Sequence, residues 1–181
     1  MSLLLKIADI PSTPVVIQTR LATAWCGERL GPVYRAAETT LPVSVRAVQA
    51  AGVIDVKAQV AGRFAFDCSR CAEPAELTVE TGFEHHFVAP GQLDAGGEGF
   101  ADFDADPDVS EHDGVHLDIE ELCIEYTLLA LPNVPVCSED CRGLCPTCGA
   151  NRNRETCACD KTADAASPWS ALASVKLDPK S

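Results

Sequence analysis

Residues 137–159, CSEDCRGLCPTCGANRNRETCAC, contain six cysteines within 23 residues. Cys145-Pro-Thr-Cys148, followed by Gly149, is typical of a structural zinc site, because two thiolates about one turn apart can reach the same tetrahedral ion. The glycine leaves the backbone free to fold around the metal. Cys157-Ala-Cys159 is tighter than the usual ligand pair, but an extended C-x-C can also supply two ligands. The sequence therefore predicts a zinc-binding cysteine cluster near the C-terminus.

A second ligand pair, Cys68-Ser-Arg-Cys71, lies between two predicted strands and ahead of Pro74. A C-x-x-C at the tip of a hairpin is the usual β half of a zinc ribbon, because the turn aims both sulfurs at one point. A thioredoxin-like redox pair would instead stand at the start of a helix after a strand. Strands are predicted on both sides here, so the pattern favours metal binding over redox chemistry.

The eight paired cysteines are enough for two zinc ions, each with four thiolate ligands. Two groupings are compatible with the spacings. The favoured one makes a local site and one that spans the chain: Cys145, Cys148, Cys157 and Cys159, and Cys68, Cys71, Cys137 and Cys141. The alternative makes these two sets: Cys137, Cys141, Cys145 and Cys148, and Cys68, Cys71, Cys157 and Cys159.

The other two cysteines and the four histidines are not expected to be ligands. Cys26 and Cys123 lie in apolar stretches, where a free cysteine is usually a small buried hydrophobe. The histidines match no ligand spacing with the cysteines and are predicted to be surface or strand residues: His85, His86, His112 and His116.

The composition indicates one domain with its own core plus an appendage. The chain has 181 residues, of which 46% are hydrophobic and 23% charged. Its first residues, MSLLLKIADIPST, have too short an apolar run for a signal peptide, and no run approaches 18 apolar residues. We therefore expect a cytoplasmic protein, in which clustered cysteines are metal ligands more often than disulfides.

The net charge of −13 restricts the class of partner. Two zinc ions on eight deprotonated thiols would lower it to about −17. Such a protein repels a phosphate backbone, so broad electrostatic binding to bare RNA or DNA is disfavoured and basic proteins are favoured. The local basic cluster lies within or beside the zinc-binding stretch, and its members are candidate RNA contacts: Arg142, Arg152, Arg154 and Lys161.

The first 89 residues are predicted to be mostly β. Residues 14–26 are apolar without a clear period, which leaves a strand or a short helix open. Hydrophobic residues then alternate over 43–47 and 54–60, which is the pattern of two half-buried strands, with a turn at Ala51-Gly52. Ala61-Gly62 indicates a second turn. Phe64 and Phe66 resume the inward face after this turn, ahead of the C-x-x-C pair. Four residues then line one side of the last long strand: Leu77, Val79, Phe83 and Phe87.

Residues 90–114 hold eight acidic residues and no lysine or arginine, and we interpret them as an acidic linker. Asp118, with Glu121 three residues on, is a capping signal that predicts a helix over 118–131. Ser167-Pro168 indicates a short C-terminal helix that returns to the body through Trp169. The apolar stripe of the first helix should pack on the sheet: Ile119, Leu122, Cys123, Tyr126, Leu129 and Ala130.

Together these patterns predict an α+β fold: an antiparallel β meander with a packed helix and a C-terminal zinc-binding cysteine cluster. We divide the chain into two parts. Residues 1–136 form the β-rich body with its linker and helix, and residues 137–181 form the zinc knuckle and short terminal helix.

The motifs carry a resemblance to a known family. The CSRC pair after paired strands, the acidic gap, the helix LDIEELCIEYTLLALPNVPVC, the run GLCPTCGANRN with a final C-x-C, and the closing PWSALASVK resemble the YceD-like family of large ribosomal RNA subunit accumulation proteins. The resemblance covers about residues 40–177. It implies a bacterial protein of ribosome biogenesis, needed for normal levels of 23S ribosomal RNA, without catalytic activity.

The expected function is therefore a non-catalytic zinc-binding factor that binds a basic ribosomal protein or a pre-ribosomal particle. No Ser/His/Asp or Cys/His arrangement and no Gly-rich phosphate loop indicates an enzyme. Two alternatives belong to other classes. A thiol redox or zinc-transfer protein would need a labile, exposed cysteine pair, and an RNA-processing enzyme would need acids and histidines that converge in a pocket.

Overall fold

The computed structural model describes residues 3–92 and 108–159. Strands dominate these residues, and the helices are few and short, so the fold is a sheet-rich α+β mixture, as predicted. A 3-10 turn, Ile7–Asp9, follows the first strand. The strands are β1 (Leu4–Lys6), β2 (Val15–Ala22), β3 (Tyr34–Ala36), β4 (Thr40–Ala50), β5 (Val53–Asp67), β6 (Pro74–Val88), β7 (Val109–Glu111) and β8 (His116–Asp118). The helices are α1 (Cys26–Arg29) and α2 (Ile119–Ala130).

The main sheet has the strand order β2-β4-β5-β6-β7, with β3 added beside the far end of β5. β4, β5 and β6 are consecutive antiparallel neighbours, which is the predicted meander. β7 departs from it, because it pairs with the end of β6 in parallel. β1 and β8 form a separate two-stranded antiparallel sheet. Each of β5 and β6 is 15 residues long, so together they make one long hairpin whose tip carries the C-x-x-C pair.

The hydrophobic alternation of these strands places one face of the sheet in the core. Even-numbered residues from Ile54 to Val60 are buried on β5, and Phe64 and Phe66 continue the same face. The odd-numbered residues of β6 that pair with them lie on the same face, and Phe83 and Phe87 among them are buried. Residues 14–26, which the sequence left open, become strand β2 and the start of α1.

The predicted turn at Ala61-Gly62 is wrong, because β5 continues through it. Gly62 pairs with Val79 of β6 as an ordinary strand residue. A Cβ atom on Gly62 would lie 2.6 Å from Cδ2 of Leu41, which is fully buried on β4. The glycine therefore makes room for the Leu41 side chain and does not turn the chain.

Helix α2 begins where the capping signal predicted. The Asp118 carboxylate accepts a hydrogen bond from the Glu121 backbone N–H at 3.1 Å, which satisfies one of the free N–H groups of the first turn. The Glu121 side chain itself bonds Arg29 at 2.7 Å. α2 packs on β6, where the Phe83 and Tyr126 rings stack with centroids 4.5 Å apart.

The buried face of α2 differs from the predicted stripe at its C-terminal end. Leu129 is 73% exposed, and Ala130 is also exposed. Ile124 and Thr127 are buried instead. Thr127 can face the core because its hydroxyl donates to the Cys123 carbonyl oxygen at 2.6 Å, so no polar group is left without a partner.

Two predicted features lie outside the described residues. They are most of the acidic linker, at 93–107, and the C-terminal helix, at about 167–177. No helix among the residues that the structure describes is long and apolar enough to span a membrane.

Candidate metal centres

The first cysteine tetrad joins the tip of the β5–β6 hairpin to the segment that follows α2. Cys68 and Cys71 occupy the tip, and Cys137 and Cys141 come from the later segment. Their sulfurs lie within 4.8 Å of one another. The Cys68 and Cys141 sulfurs are 3.8 Å apart, and those of Cys71 and Cys137 are 3.7 Å apart.

These separations fit a tetrahedral metal site. Four sulfurs about 2.3 Å from a central zinc ion are about 3.8 Å from one another. The observed distances are far longer than the ~2.05 Å of a disulfide bond. The first tetrad therefore has the size and ligand chemistry of a closed Cys₄ zinc site.

The second tetrad is local. It consists of Cys145, Cys148, Cys157 and Cys159, whose sulfurs also lie within 4.8 Å of one another. A short β-like ribbon supports it. The ribbon holds the isolated bridge between Leu144 and Asn151 and the hydrogen bond from the Cys145 N–H to the Ala150 carbonyl oxygen at 2.8 Å. The two sets are the grouping that the sequence favoured, and the alternative grouping is not brought together.

Both C-x-x-C pairs close with the same backbone turn. In the second tetrad, Gly149 has φ +75° and its N–H donates to the Cys145 carbonyl oxygen at 2.9 Å. In the first, Ala72 has φ +56° and its N–H donates to the Cys68 carbonyl oxygen at 2.8 Å. The sequence indicated the turn at Gly149. It missed the one at Ala72, because alanine rarely adopts positive φ.

Backbone N–H groups around the tetrads favour thiolates over thiols. Burial raises the pKa of Cys68, but hydrogen bonds from backbone N–H groups, first that of Cys137, outweigh it and lower the pKa to about 6. The N–H groups of Cys148 and Thr147 lower the pKa of Cys145 to about 6 as well. Each tetrad thus contains at least one sulfur prepared to bind a cation as a thiolate, and in the first tetrad the hydrogen bond from the Asn153 side chain lowers the pKa of Cys141 as well.

Another sulfur in each tetrad holds its proton more tightly than a free thiol. A hydrogen bond with Cys141 raises the pKa of Cys137 to about 12, and one with Cys148 raises the pKa of Cys159 to about 12. A metal ion bound by all four sulfurs has to displace these protons, so metal binding at either tetrad releases protons and weakens as the pH falls.

Comparison with protein families identifies the chain. The family model of the large ribosomal RNA subunit accumulation protein YceD matches residues 56–176, or 121 of the 181 residues. The chain belongs to the YceD family. The matched region includes both tetrads and begins within β5, somewhat later than the residue 40 that the resemblance indicated.

Curated relatives of this YceD-family chain come from mycobacteria. Two of them, from Mycobacterium bovis and Mycobacterium tuberculosis and both named as uncharacterised proteins, are 32% identical to it over 89 residues. The alignment covers 46% of this chain and 37% of each relative, so the chain matches well under half the length of these proteins. No solved structure matches it.

The candidate RNA contacts of this YceD-family protein fall into three groups. The Arg154 guanidinium bonds the Glu73 carboxylate at 2.8 Å. The side chains of Arg142 and Arg152 form no hydrogen bond or ion pair with the residues that the structure describes. Lys161 lies outside them. Among the described members of the cluster, Arg142 and Arg152 are therefore the ones whose side chains have no described hydrogen-bond or ion-pair partner.

The sequence also missed the role of Arg70, which stands between the first two cysteines. Its guanidinium donates to the carbonyl oxygens of Glu139 and Cys141, both at 3.1 Å. These bonds hold the loop from Cys137 to Cys141 against the hairpin tip. The only sequence signal was the position of Arg70 inside the C-x-x-C pair.

Cys26 and Cys123 belong to neither tetrad. Both are buried, and burial raises the pKa of Cys26 to about 11 and that of Cys123 to about 12. They are core residues, as predicted. None of the four histidines joins a tetrad either. His85 is more buried than expected, since it is only 4% exposed and its Nε2 lies 2.9 Å from the Ser110 hydroxyl.

Proposed function

We propose that this protein is a non-catalytic zinc-binding factor of bacterial ribosome biogenesis, which acts in the cytoplasm and supports the accumulation of large-subunit 23S ribosomal RNA. The observation that carries the proposal is the pair of closed Cys₄ tetrads within the region matched by the YceD family model. The family's description, a large ribosomal RNA subunit accumulation protein, supports the ribosomal part.

Zinc is the metal that best suits these sites. Thiolates are soft ligands, and four of them at tetrahedral spacing are the usual donor set of structural zinc. Zinc would supply a redox-inert cross-link between segments of the chain. Four protein ligands also leave no open coordination position for a substrate or water, which supports a structural and not a catalytic role.

The charge distribution supports two kinds of contact. The chain carries −13 overall, so most of its surface suits a basic ribosomal protein. Arg142 and Arg152 stand beside the tetrads and are unpaired with any described residue, so they suit RNA phosphates. Together these features support a factor that bridges a basic protein and RNA on a large-subunit precursor.

Native mass spectrometry of the purified full chain tests the metal. We expect two zinc ions per chain, because each tetrad offers four sulfurs. A single ion, or iron, would contradict this part of the proposal. Ready transfer of both ions to a thiol-rich acceptor would favour the zinc-transfer alternative.

Sucrose-gradient profiles of a deletion strain test the ribosomal role. We expect fewer free 50S subunits and the appearance of large-subunit precursors. Complementation with Arg142→Glu combined with Arg152→Glu should weaken co-sedimentation with those precursors without changing the zinc content, because reversed charges repel phosphates. The charge-matched control is Arg20→Glu with Arg46→Glu, on the solvent-facing side of the sheet.

The outcomes separate the candidate functions. Unchanged co-sedimentation of the Arg142 and Arg152 variant would mean that the tetrads act only as a scaffold. A wild-type gradient profile in the deletion strain would contradict the ribosomal role itself. Unprocessed 23S ends in an otherwise normal profile would favour the RNA-processing alternative.

A further inference from the structure

The segment that carries the second tetrad also contacts the first. The chain passes from Cys141 of the first tetrad to Cys145 of the second within four residues. The loop between Cys148 and Cys157 then returns toward the hairpin tip, where the side chains of Asn151, Asn153 and Arg154 bond the surroundings of the first tetrad.

Asn153 makes the most direct of these bonds. Its side-chain Nδ2 donates to the Cys141 sulfur at 3.3 Å, and its Oδ1 accepts from the Arg142 backbone N–H at 2.7 Å. Its own backbone N–H donates to the Asn151 side-chain oxygen at 3.0 Å. Asn153 is thus oriented from both ends, with its amide directed at a sulfur of the first tetrad although it precedes the second tetrad's Cys157 by only four residues.

Glu73 supplies a second connection. It follows the first C-x-x-C pair by two residues, and its two carboxylate oxygens accept from Asn151 at 3.2 Å and from Arg154 at 2.8 Å. The Glu73 side chain is 35% exposed and that of Arg154 70%, so the carboxylate is partly shielded from water and the guanidinium is not. The carboxylate therefore holds both flanks of Asn153 against the hairpin tip.

The backbone leaves little clearance at this junction. The Leu144 N–H donates to the Arg70 carbonyl oxygen at 2.9 Å. A Cβ atom on Gly143 would lie 2.9 Å from the same oxygen, and Gly143 has φ +68°. Only glycine allows this approach, so the two tetrads meet through a close backbone contact as well as through side chains.

We propose that the two tetrads are one coupled metal unit, in which the loop closed by the second tetrad presents Asn153 to Cys141 and thereby slows metal loss from the first. This rests on metal binding as given under the proposed function. An N–H···S bond spreads the negative charge of a ligand thiolate and fixes its orientation, and such outer partners of metal ligands change affinity by about 10–100-fold. Asn153 is accordingly a positioning residue for the first tetrad, and Glu73 orients its loop.

The rate of zinc release to a chromogenic chelator measures the coupling. In the full chain, Asn153→Ala should speed release from the first tetrad by about 10-fold or more, because Cys141 loses its outer hydrogen bond while all eight cysteines remain. Timed alkylation followed by peptide mass mapping identifies which cysteines become free. Thr156→Ala is the matched control, since Thr156 is exposed in the same loop and its side chain bonds no residue that the structure describes.

A second variant tests the direction of the coupling. Cys157→Ser with Cys159→Ser removes metal from the second tetrad, and we expect the remaining ion to leave the first tetrad faster than in wild type. Adding Asn153→Ala to that variant should then change the rate by less than 2-fold, since the amide is already displaced.

Two results would overturn the coupling. One is wild-type release from the first tetrad in Asn153→Ala, and the other is wild-type release from that tetrad in the Cys157 and Cys159 variant. Either would show two metal sites that bind independently. Absence of metal from the wild-type chain would instead overturn the proposed function, so the two failures are distinguishable.

Discussion

Each tetrad consists of four cysteines, but the two tetrads close very different stretches of chain. The first links Cys68 to Cys141, 73 residues apart, and so connects the sheet to the segment beyond helix α2. The second links Cys145 to Cys157 within a single loop. Four cysteines therefore connect distant segments of the body in the first tetrad and the two ends of one loop in the second.

Loop-closure entropy gives the difference a scale. The entropic free energy of closing a loop of n residues grows as (3/2)RT ln n. Closing the longer first loop therefore removes about 1.6 kcal/mol more conformational entropy, expressed as TΔS, than closing the second. The first tetrad also joins buried elements, since Cys68, Cys71 and Cys141 are all in the core. The stability of the body should depend mainly on the first tetrad, whereas the second should order its own loop and affect the body through contacts such as that between Asn153 and Cys141.

Removing one ligand from each tetrad gives the largest expected effect. Cys141→Ser should lower the free energy of unfolding of the body by several kcal/mol, because the four sulfurs come together only in the folded chain and the free energy of metal binding is therefore part of the folding free energy. Cys159→Ser should change the main unfolding transition much less. Circular dichroism melts of the zinc-loaded variants measure both.

Ser138→Ala, an exposed change between Cys137 and Cys141, is the control for the first tetrad. Cobalt substitution checks the assignment: Cys141→Ser should keep one full thiolate charge-transfer band, with Cys157 and Cys159 protected from alkylation. Equal losses of stability in the Cys141 and Cys159 variants would end the distinction between a global and a local site.

The two core thiols, Cys26 and Cys123, should make the stability of the protein fall at alkaline pH. The pKa of Cys26 is raised to about 11 and that of Cys123 to about 12 by burial, from 9.0. Because the pKa of each thiol is higher in the folded chain than in the unfolded chain, its contribution to the free energy of unfolding is complete below pH 9. This contribution is lost as the pH rises from 9 through the folded-state pKa. Each thiol should therefore cost about 1.4 kcal/mol per pH unit between pH 9 and pH 11.

Denaturant titrations at pH 8.5, 9.5 and 10.5 test this slope. Cys123→Ala should be less stable than wild type at pH 8.5, because it leaves a cavity. Its stability should nevertheless fall less steeply with pH, because one of the two thiols is gone. Parallel slopes in the variant and wild type would mean that Cys123 does not titrate as its burial indicates.

The sequence predicted the parts of the fold that local patterns determine. Alternation over 43–47 and 54–60 located β4 and β5, and Asp118 with Glu121 located the start of α2. Spacing left two groupings of the cysteines open and favoured the observed one, because a C-x-x-C with its own downstream pair can close a local site. These signals depend only on neighbouring residues or on ligand chemistry.

The parts that the sequence did not predict depend on distant partners. Ala61-Gly62 is a sequence typical of a turn, but the glycine is required because the Leu41 side chain, 21 residues earlier, occupies the space of a Cβ atom. Thr127 is polar and is therefore not expected in the core, but its hydroxyl can be buried because it donates to the Cys123 carbonyl oxygen. The parallel pairing of β7 with β6 involves only three residue pairs on a short strand, too few for a sequence pattern to reveal.

The smallest expected effect comes from the turn that the two tetrads share. Ala72 adopts φ +56° and Gly149 φ +75° at the same position after a C-x-x-C pair. A left-handed backbone costs alanine roughly 1 kcal/mol that glycine does not incur. Ala72→Gly therefore relieves strain in the first tetrad, and Gly149→Ala introduces it in the second. The gain at Ala72 is reduced because glycine also increases the entropy of the unfolded chain.

We expect Ala72→Gly to leave the stability of the body within about 0.5 kcal/mol of wild type, and Gly149→Ala to weaken zinc retention at the second tetrad by a few fold, as about 1 kcal/mol implies. Chelator competition on both variants, with melts in parallel, measures the two effects. A cost above about 1 kcal/mol for Ala72→Gly would show that the Ala72 methyl group packs favourably at the hairpin tip. In that case the two turns would have the same backbone conformation, but side-chain packing would stabilise the one at Ala72 and the flexibility of glycine the one at Gly149.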